Sequence, residues 1–153
     1  MNALFELIGK SEYVTQKESE TIVDTPEYTV EFGKSTVGGT WKSHVKVYYH
    51  YRPSSNRAKE WVNSIAFAKI AYSDDYGETS TSIKLRSNRT EQDERSFLET
   101  LASIDYDNGY GSQELFGTIV FKDGTWLERG EYDGSEWWEH RKLPTEESLF
   151  GNN

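Results

Sequence analysis

DGTWLERGEYDGSEWWEH, residues 123–140, sets two Asp-Gly pairs ten positions apart in a ribbon that also holds three tryptophans and a tyrosine. Asp-Gly between extended flanks is a strong hairpin signal, because both central residues of a type I′ turn take positive φ. The spacing predicts a three-stranded meander over residues 115–121, 125–132 and 135–142, with two-residue turns at Asp123-Gly124 and Asp133-Gly134. Turns of that length also fix register. In the second hairpin Tyr132 then faces Ser135, Gly130 faces Trp137, Arg129 faces Trp138 and Glu128 faces Glu139. In the first, Phe121 faces Trp126 and Val120 faces Leu127.

These pairs have physical consequences. Trp137 can cover the bare backbone at Gly130, and Arg129 can stack on Trp138. Glu128 against Glu139 is unfavourable unless Arg141, diagonally across, relieves it. The two faces read Ile119, Phe121, Trp126, Trp137 and Phe116, Val120, Leu127, Trp138, so one of them leaves aromatic surface near solvent or beneath another element. Trp137 and Trp138 are adjacent and point to opposite faces, so at least one belongs to the core. A tryptophan among charges also suits a binding anchor.

Upstream, the signals are sparser. Asn2 is placed to cap a helix over about residues 3–8, with Leu4, Leu7 and Ile8 on one face and Gly9 at its end. Residues 10–26 show no clear period. Tyr28, Val30 and Phe32 alternate as a strand does, up to a turn marked by Gly33 and Gly38-Gly39. In TWKSHVKVYYHYR, residues 40–52, Trp41, Val45, Val47, Tyr49 and Tyr51 share one parity, and a basic set shares the other. Residues 60–72 suit either helix or strand, and we read strand. Residues 79–86 alternate again. Thr90 before Glu91, Asp93 and Glu94 marks a helix start, and Phe97, Leu98, Leu101 and Ile104 give its apolar face over about 91–103. The expected fold class is therefore α+β: a mainly antiparallel sheet, a C-terminal meander and one main helix packed on the sheet, in a single domain with a tail at 145–153.

Composition bounds the function. No cysteine is present, which excludes disulfides, thiolate metal sites and a Cys nucleophile. No run approaches the roughly 20 apolar residues of a membrane span, and MNALFELIGK lacks the features of a signal peptide, so no membrane partner and a cytoplasmic location are expected. The net charge of -9 is uneven: residues 1–90 hold 11 acids and 12 bases, residues 91–153 hold 15 acids and 5 bases. Such an acidic half argues against nucleic acid as the main partner and favours a cationic one.

The pattern DGTW-LER-GEYDGSEWW followed by Pro144 resembles the C-terminal signature of small proteins encoded by bacteriophages and prophages. It covers residues 123–144, and EYDGSEWW at 131–138 is its most specific part. The resemblance implies expression inside a bacterial host, in a class often directed at host machinery or defences. It implies no catalytic residue.

Three readings follow. The first is a non-enzymatic, anti-CRISPR or anti-restriction type of inhibitor that binds a bacterial host or defence protein with a basic surface. Its contact residues would be Glu128, Arg129, Glu131, Asp133, Glu136, Trp137, Trp138 and Glu139. Carboxylates on one strand face repeat at about 6.6 Å, close to phosphate spacing, so a nucleic-acid mimic is one version of it. The second is sequestration of a small nucleotide, with Lys42, Lys46 and Arg52 on its phosphates and Tyr48 beside them. The third is a hydrolase using carboxylates, ranked last because no nucleophile and base can be placed together. No P-loop, dinucleotide fingerprint or nucleophile elbow occurs, and GKSTVGG at 33–39 has Tyr28 where a phosphate loop needs glycine. His44 and His50 lie roughly 20 Å apart on one strand, too far to share a metal. Asp74-Asp75 and Asp105-x-Asp107 read as turn residues. No cofactor and no metal are expected, and self-association is left open.

Overall fold

The computed structural model describes residues 1–14, 26–37, 40–74, 80–109 and 112–151, with only the backbone described at 11–14, 29–37 and 40–48. The described residues form two compact units, Met1–Trp61 with Leu98–Asp105, and Val62–Phe97 with Tyr106–Asn153. The architecture is α+β with antiparallel sheets.

The first unit opens with α1 (Ala3–Ile8), whose free N–H at Phe5 is capped by the Asn2 side chain. The Asn2 amide also donates to Ala102 O at 2.7 Å, and Ala3 N donates to Ile104 O, so the cap doubles as a tether. Gly9 ends the helix in extended backbone at φ -81, not in a left-handed turn. Its lack of a side chain matters for another reason: a Cβ there would strike the Phe5 ring. Strands β1 (Lys10–Val14), β2 (Thr29–Val37) and β3 (Thr40–Tyr49) form an antiparallel sheet ordered β1-β3-β2. Strand β1 falls where the sequence shows no clear period. The Gly38-Gly39 turn lies outside the described residues. β3 is shorter than its pattern suggests: Tyr51 takes φ 44 and Arg52 N turns back onto Pro26 O, so His50, Tyr51 and Arg52 leave the strand.

Residues 60–72 combine both of the conformations they suit. Helix α2 (Asn56–Asn63) runs through Trp61 and Val62, and β4 (Ile65–Ser73) starts two residues later, which corrects the all-strand reading of 60–72. Helix α3 (Glu91–Ser103) begins as expected, with Thr90 and Asp93 exchanging side chain to backbone hydrogen bonds. Its Phe97, Leu98 and Leu101 are buried, as is Ile104 just beyond.

The second unit is built on five antiparallel strands ordered β5-β4-β6-β7-β8, adding β5 (Ser80–Leu85), β6 (Leu115–Phe121), β7 (Trp126–Tyr132) and β8 (Ser135–Arg141). Ile65, Ala68, Ile70, Leu85, Leu115 and Ile119 share one face and are all buried. Each fully buried aliphatic side chain contributes about 1.5–3 kcal/mol, so this face is the principal source of the unit's stability. Gly117, at φ +147, lies against Lys69 O and the Ile70 backbone, where no side chain fits. Arg89 closes the α2–β4 junction, donating to Val62 O, Ile65 O and Ala66 O at 2.6–3.0 Å and pairing with Glu94. Ile65 O and Ala66 O lie at the β-bulge between Ile65 and Phe67, and Val62 O lies in the last turn of α2, so one guanidinium holds the helix end and the bulge together. Residues 145–153, expected as a tail, carry a short helix α4 (Glu146–Phe150) with a capping box between Thr145 and Ser148.

Candidate functional site

The closing ribbon keeps the expected register in its second hairpin, with Tyr132 opposite Ser135, Gly130 opposite Trp137, Arg129 opposite Trp138 and Glu128 opposite Glu139. Asp133 at φ 49 and Gly134 at φ 87 supply the left-handed pair that such a turn needs. The first hairpin differs by one residue. Phe121 N donates to Thr125 O and Gly124 N to Phe121 O, so the loop holds three residues, with Gly124 at φ 88. Val120 therefore faces Trp126, and Ile119 faces Leu127. The reason is local: the Asp123 carboxylate accepts from both the Thr125 hydroxyl (2.6 Å) and the Thr125 N–H (2.9 Å), drawing the chain into the longer turn. Those bonds hold the Asp123 carboxyl below the ordinary aspartate value, with a smaller contribution from His140.

A slip of one residue exchanges the two faces of β6 relative to β7. Ile119, Phe121, Leu127 and Trp138 share the core side; Phe116, Val120, Trp126 and Trp137 share the other. The structure thereby sorts the residues expected to contact a partner.

Two of them, Arg129 and Glu136, are internal, and a third, Trp138, is half-buried against the guanidinium. Arg129 and Glu136 form an ion pair at 2.6 Å with side chains 3% and 0% exposed. Glu136 also accepts from Glu114 N and Leu115 N at 2.8 and 2.9 Å, and Arg129 donates to Leu115 O and Tyr106 Oη. The guanidinium lies 4.8 Å from the Trp138 ring and 5.4 Å from Tyr106, so its stacking on Trp138 occurs in a desolvated site. Arg129, Glu136 and Trp138 are corrected from partner contacts to the clasp that fixes β7 and β8 to the start of β6. Their pattern on the sequence resembles surface charge, because alternation cannot show that one Glu meets two backbone N–H groups from a distant strand.

Glu128, Trp137 and Glu139 lie on the outer face. Arg141 bonds Glu139 at 2.5 Å and approaches Glu128 at 3.6 Å, which relieves the like-charge pair. Each carboxylate also accepts an indole N–H, Glu128 from Trp126 (2.8 Å) and Glu139 from Trp137 (3.1 Å). A Cβ on Gly130 would lie 2.7 Å from the Trp137 ring, which covers that glycine as expected. The last two, Glu131 and Asp133, are exposed at the hairpin end, beside Tyr132, the most exposed large hydrophobic side chain among the described residues at 76%.

The other candidates are less informative. The side chains of Lys42, Lys46 and Tyr48 lie outside the described residues, and Arg52 is exposed beyond β3. Asp107 accepts from Gly109 N in a local turn, as its turn reading requires, and Asp75 lies outside the described residues. Among the described residues no three His, Asp or Glu side chains gather to hold a metal. Among the described residues no helix is long and apolar enough to cross a membrane. No protein-family model matches the chain, and no curated protein or solved structure matches it either.

Proposed function

We propose that the chain is a non-catalytic inhibitor, expressed in the cytoplasm of a phage-infected bacterium, that docks an acidic hairpin on a basic surface of a host or defence protein handling nucleic acid. Such an inhibitor would be of the anti-CRISPR or anti-restriction type. The observation that carries the reading is the end of the β7–β8 hairpin, where Glu131 and Asp133 flank the protruding Tyr132. The Arg129–Glu136 clasp anchors the strands behind it, so little ordering cost is left to meet on binding. The two acids steer a cationic surface, and the tyrosine supplies rigid apolar area at the contact.

The test is capture from bacterial lysate on immobilised protein at low and high salt, followed by competition with duplex DNA or guide RNA on whatever complex is retained. A retained nuclease or nucleic-acid-binding complex, displaced by the competitor and lost in an E131Q/Y132A/D133N variant, supports the reading. Binding that survives both high salt and this variant overturns it.

A further inference from the structure

The outer face of the five-stranded sheet is ordered in transverse rows, because residues paired across antiparallel strands share a face. The central row reads Lys84, Lys69, Thr118, Glu128, Glu139 from β5 to β8. One flanking row holds Phe67, Val120, Trp126 and Arg141; the other holds Ser82, Ala71, Phe116, Gly130 and Trp137. Phe67, Phe116 and Trp137 are 53%, 43% and 38% exposed, an amount of aromatic surface that a free sheet face rarely carries. Two lysines stand side by side at one edge, with no acid paired to them among the described residues, while at the other edge two carboxylates share a single arginine.

A row of two cations, a neutral centre and two anions is complementary to itself when turned end for end. We propose that this face packs against the same face of a second copy of the chain, about a two-fold axis running along β6. Lys84 then meets Glu139 of the second copy, Lys69 meets Glu128, and Thr118 meets Thr118. The flanking rows agree in size. Phe67 meets Trp126 of the second copy, whose indole enters the hollow of about 580 Å³ lined by Phe67, Lys69, Lys84, Arg86 and Val120. Trp137 lies over the small side chains of Ser82 and Ala71. An axis across the strands would instead set Lys84 on Lys84 and Glu139 on Glu139, so the charge order selects one isologous geometry.

Packed sheets lie about 10 Å apart and turn by about 30°, which offsets the outer pairs by a few ångströms, within reach of Lys and Glu side chains. A face roughly 24 Å across and 20 Å along the strands buries on the order of 1,000 Å² over both copies, enough for a concentration-dependent dimer. Glu131 and Asp133 are outside this face, so self-association and target docking are separable.

Sedimentation velocity over a range of concentration and salt tests the geometry, with circular dichroism as the control for folding. Wild type is expected to dimerise, more weakly at high salt. K69E/K84E and E128K/E139K are each expected to lose self-association by about a hundredfold or more. Mixed one to one, they are expected to form a heterodimer, since every facing pair of the central row is then opposite in charge. T118R, which places like charges on the axis, is expected to be monomeric, and E131Q/D133N to dimerise as wild type does. A wild type still monomeric at about 0.5 mM, charge-reversed variants that self-associate normally, a mixture that stays monomeric, or a dimeric T118R would each overturn the proposal.

Discussion

Glu136 meets Arg129 at 2.6 Å inside a ribbon whose sequence looks like open charge, and the same carboxylate accepts the backbone N–H groups of Glu114 and Leu115. One acid thus joins β8 to β7 and to the first residue of β6. Removing one partner leaves the other charged and enclosed. E136L and R129M are each expected to lower unfolding free energy by about 3–5 kcal/mol. The double change R129M/E136L is expected to cost less than the two single changes added together. Chemical denaturation of the four proteins checks this.

Two glycines of the sheet are expected to respond differently to alanine. At Gly117 the new Cβ would strike backbone, and φ +147 is itself strained for any other residue, so G117A is expected to cost more than about 3 kcal/mol. At Gly130 the obstacle is the Trp137 ring, which can tilt, so G130A is expected to cost about 1–2 kcal/mol, with a shift in tryptophan fluorescence. Thermal melts of both variants rank them.

Arg89 is expected to be indispensable to the α2–β4 junction. Lysine keeps the charge but cannot reach three carbonyls and Glu94 together, so R89K is expected to lose about 2–3 kcal/mol, and R89A more. Hydrogen exchange at Val62–Ala68 should rise in both before the rest of the second unit opens.

Asp123 links turn shape to acidity. Its folded-state carboxyl is depressed below the ordinary 3.8, so the stabilisation it provides is present above that value and is lost as pH falls through the depressed one. T125V removes the hydroxyl donor and is expected to return the carboxyl toward its ordinary value. A carboxyl-carbon NMR titration of wild type and variant reads this directly.

Where the sequence was legible, short-range rules decided the outcome. Asp133-Gly134 needs only its own two residues to set a type I′ turn, and the pairs down to Glu128 and Glu139 follow from it. The Thr90–Asp93 cap and the face of α3 are legible for the same reason. Asp123-Gly124 misled because Thr125, one place further on, offers its hydroxyl to the same carboxylate. Glu136 and Arg89 were illegible because each is fixed by backbone groups about twenty or more residues away. Charge alone does not announce that burial. Of the eight residues expected at a partner contact, five remain outside, and only Glu131 and Asp133 lie at the hairpin end.

The three-residue loop at Lys122-Asp123-Gly124 has a consequence for how such a ribbon can diversify. Because it alone determines which parity of β6 meets which parity of β7, deleting one loop residue would carry Val120 inward and Ile119 outward without changing any strand residue. The length of one turn therefore acts as a selector of surface identity. A chain with one residue fewer in this loop would present a different outer face, and the bonds of Arg129 and Glu136 to Leu115 would be lost with the register.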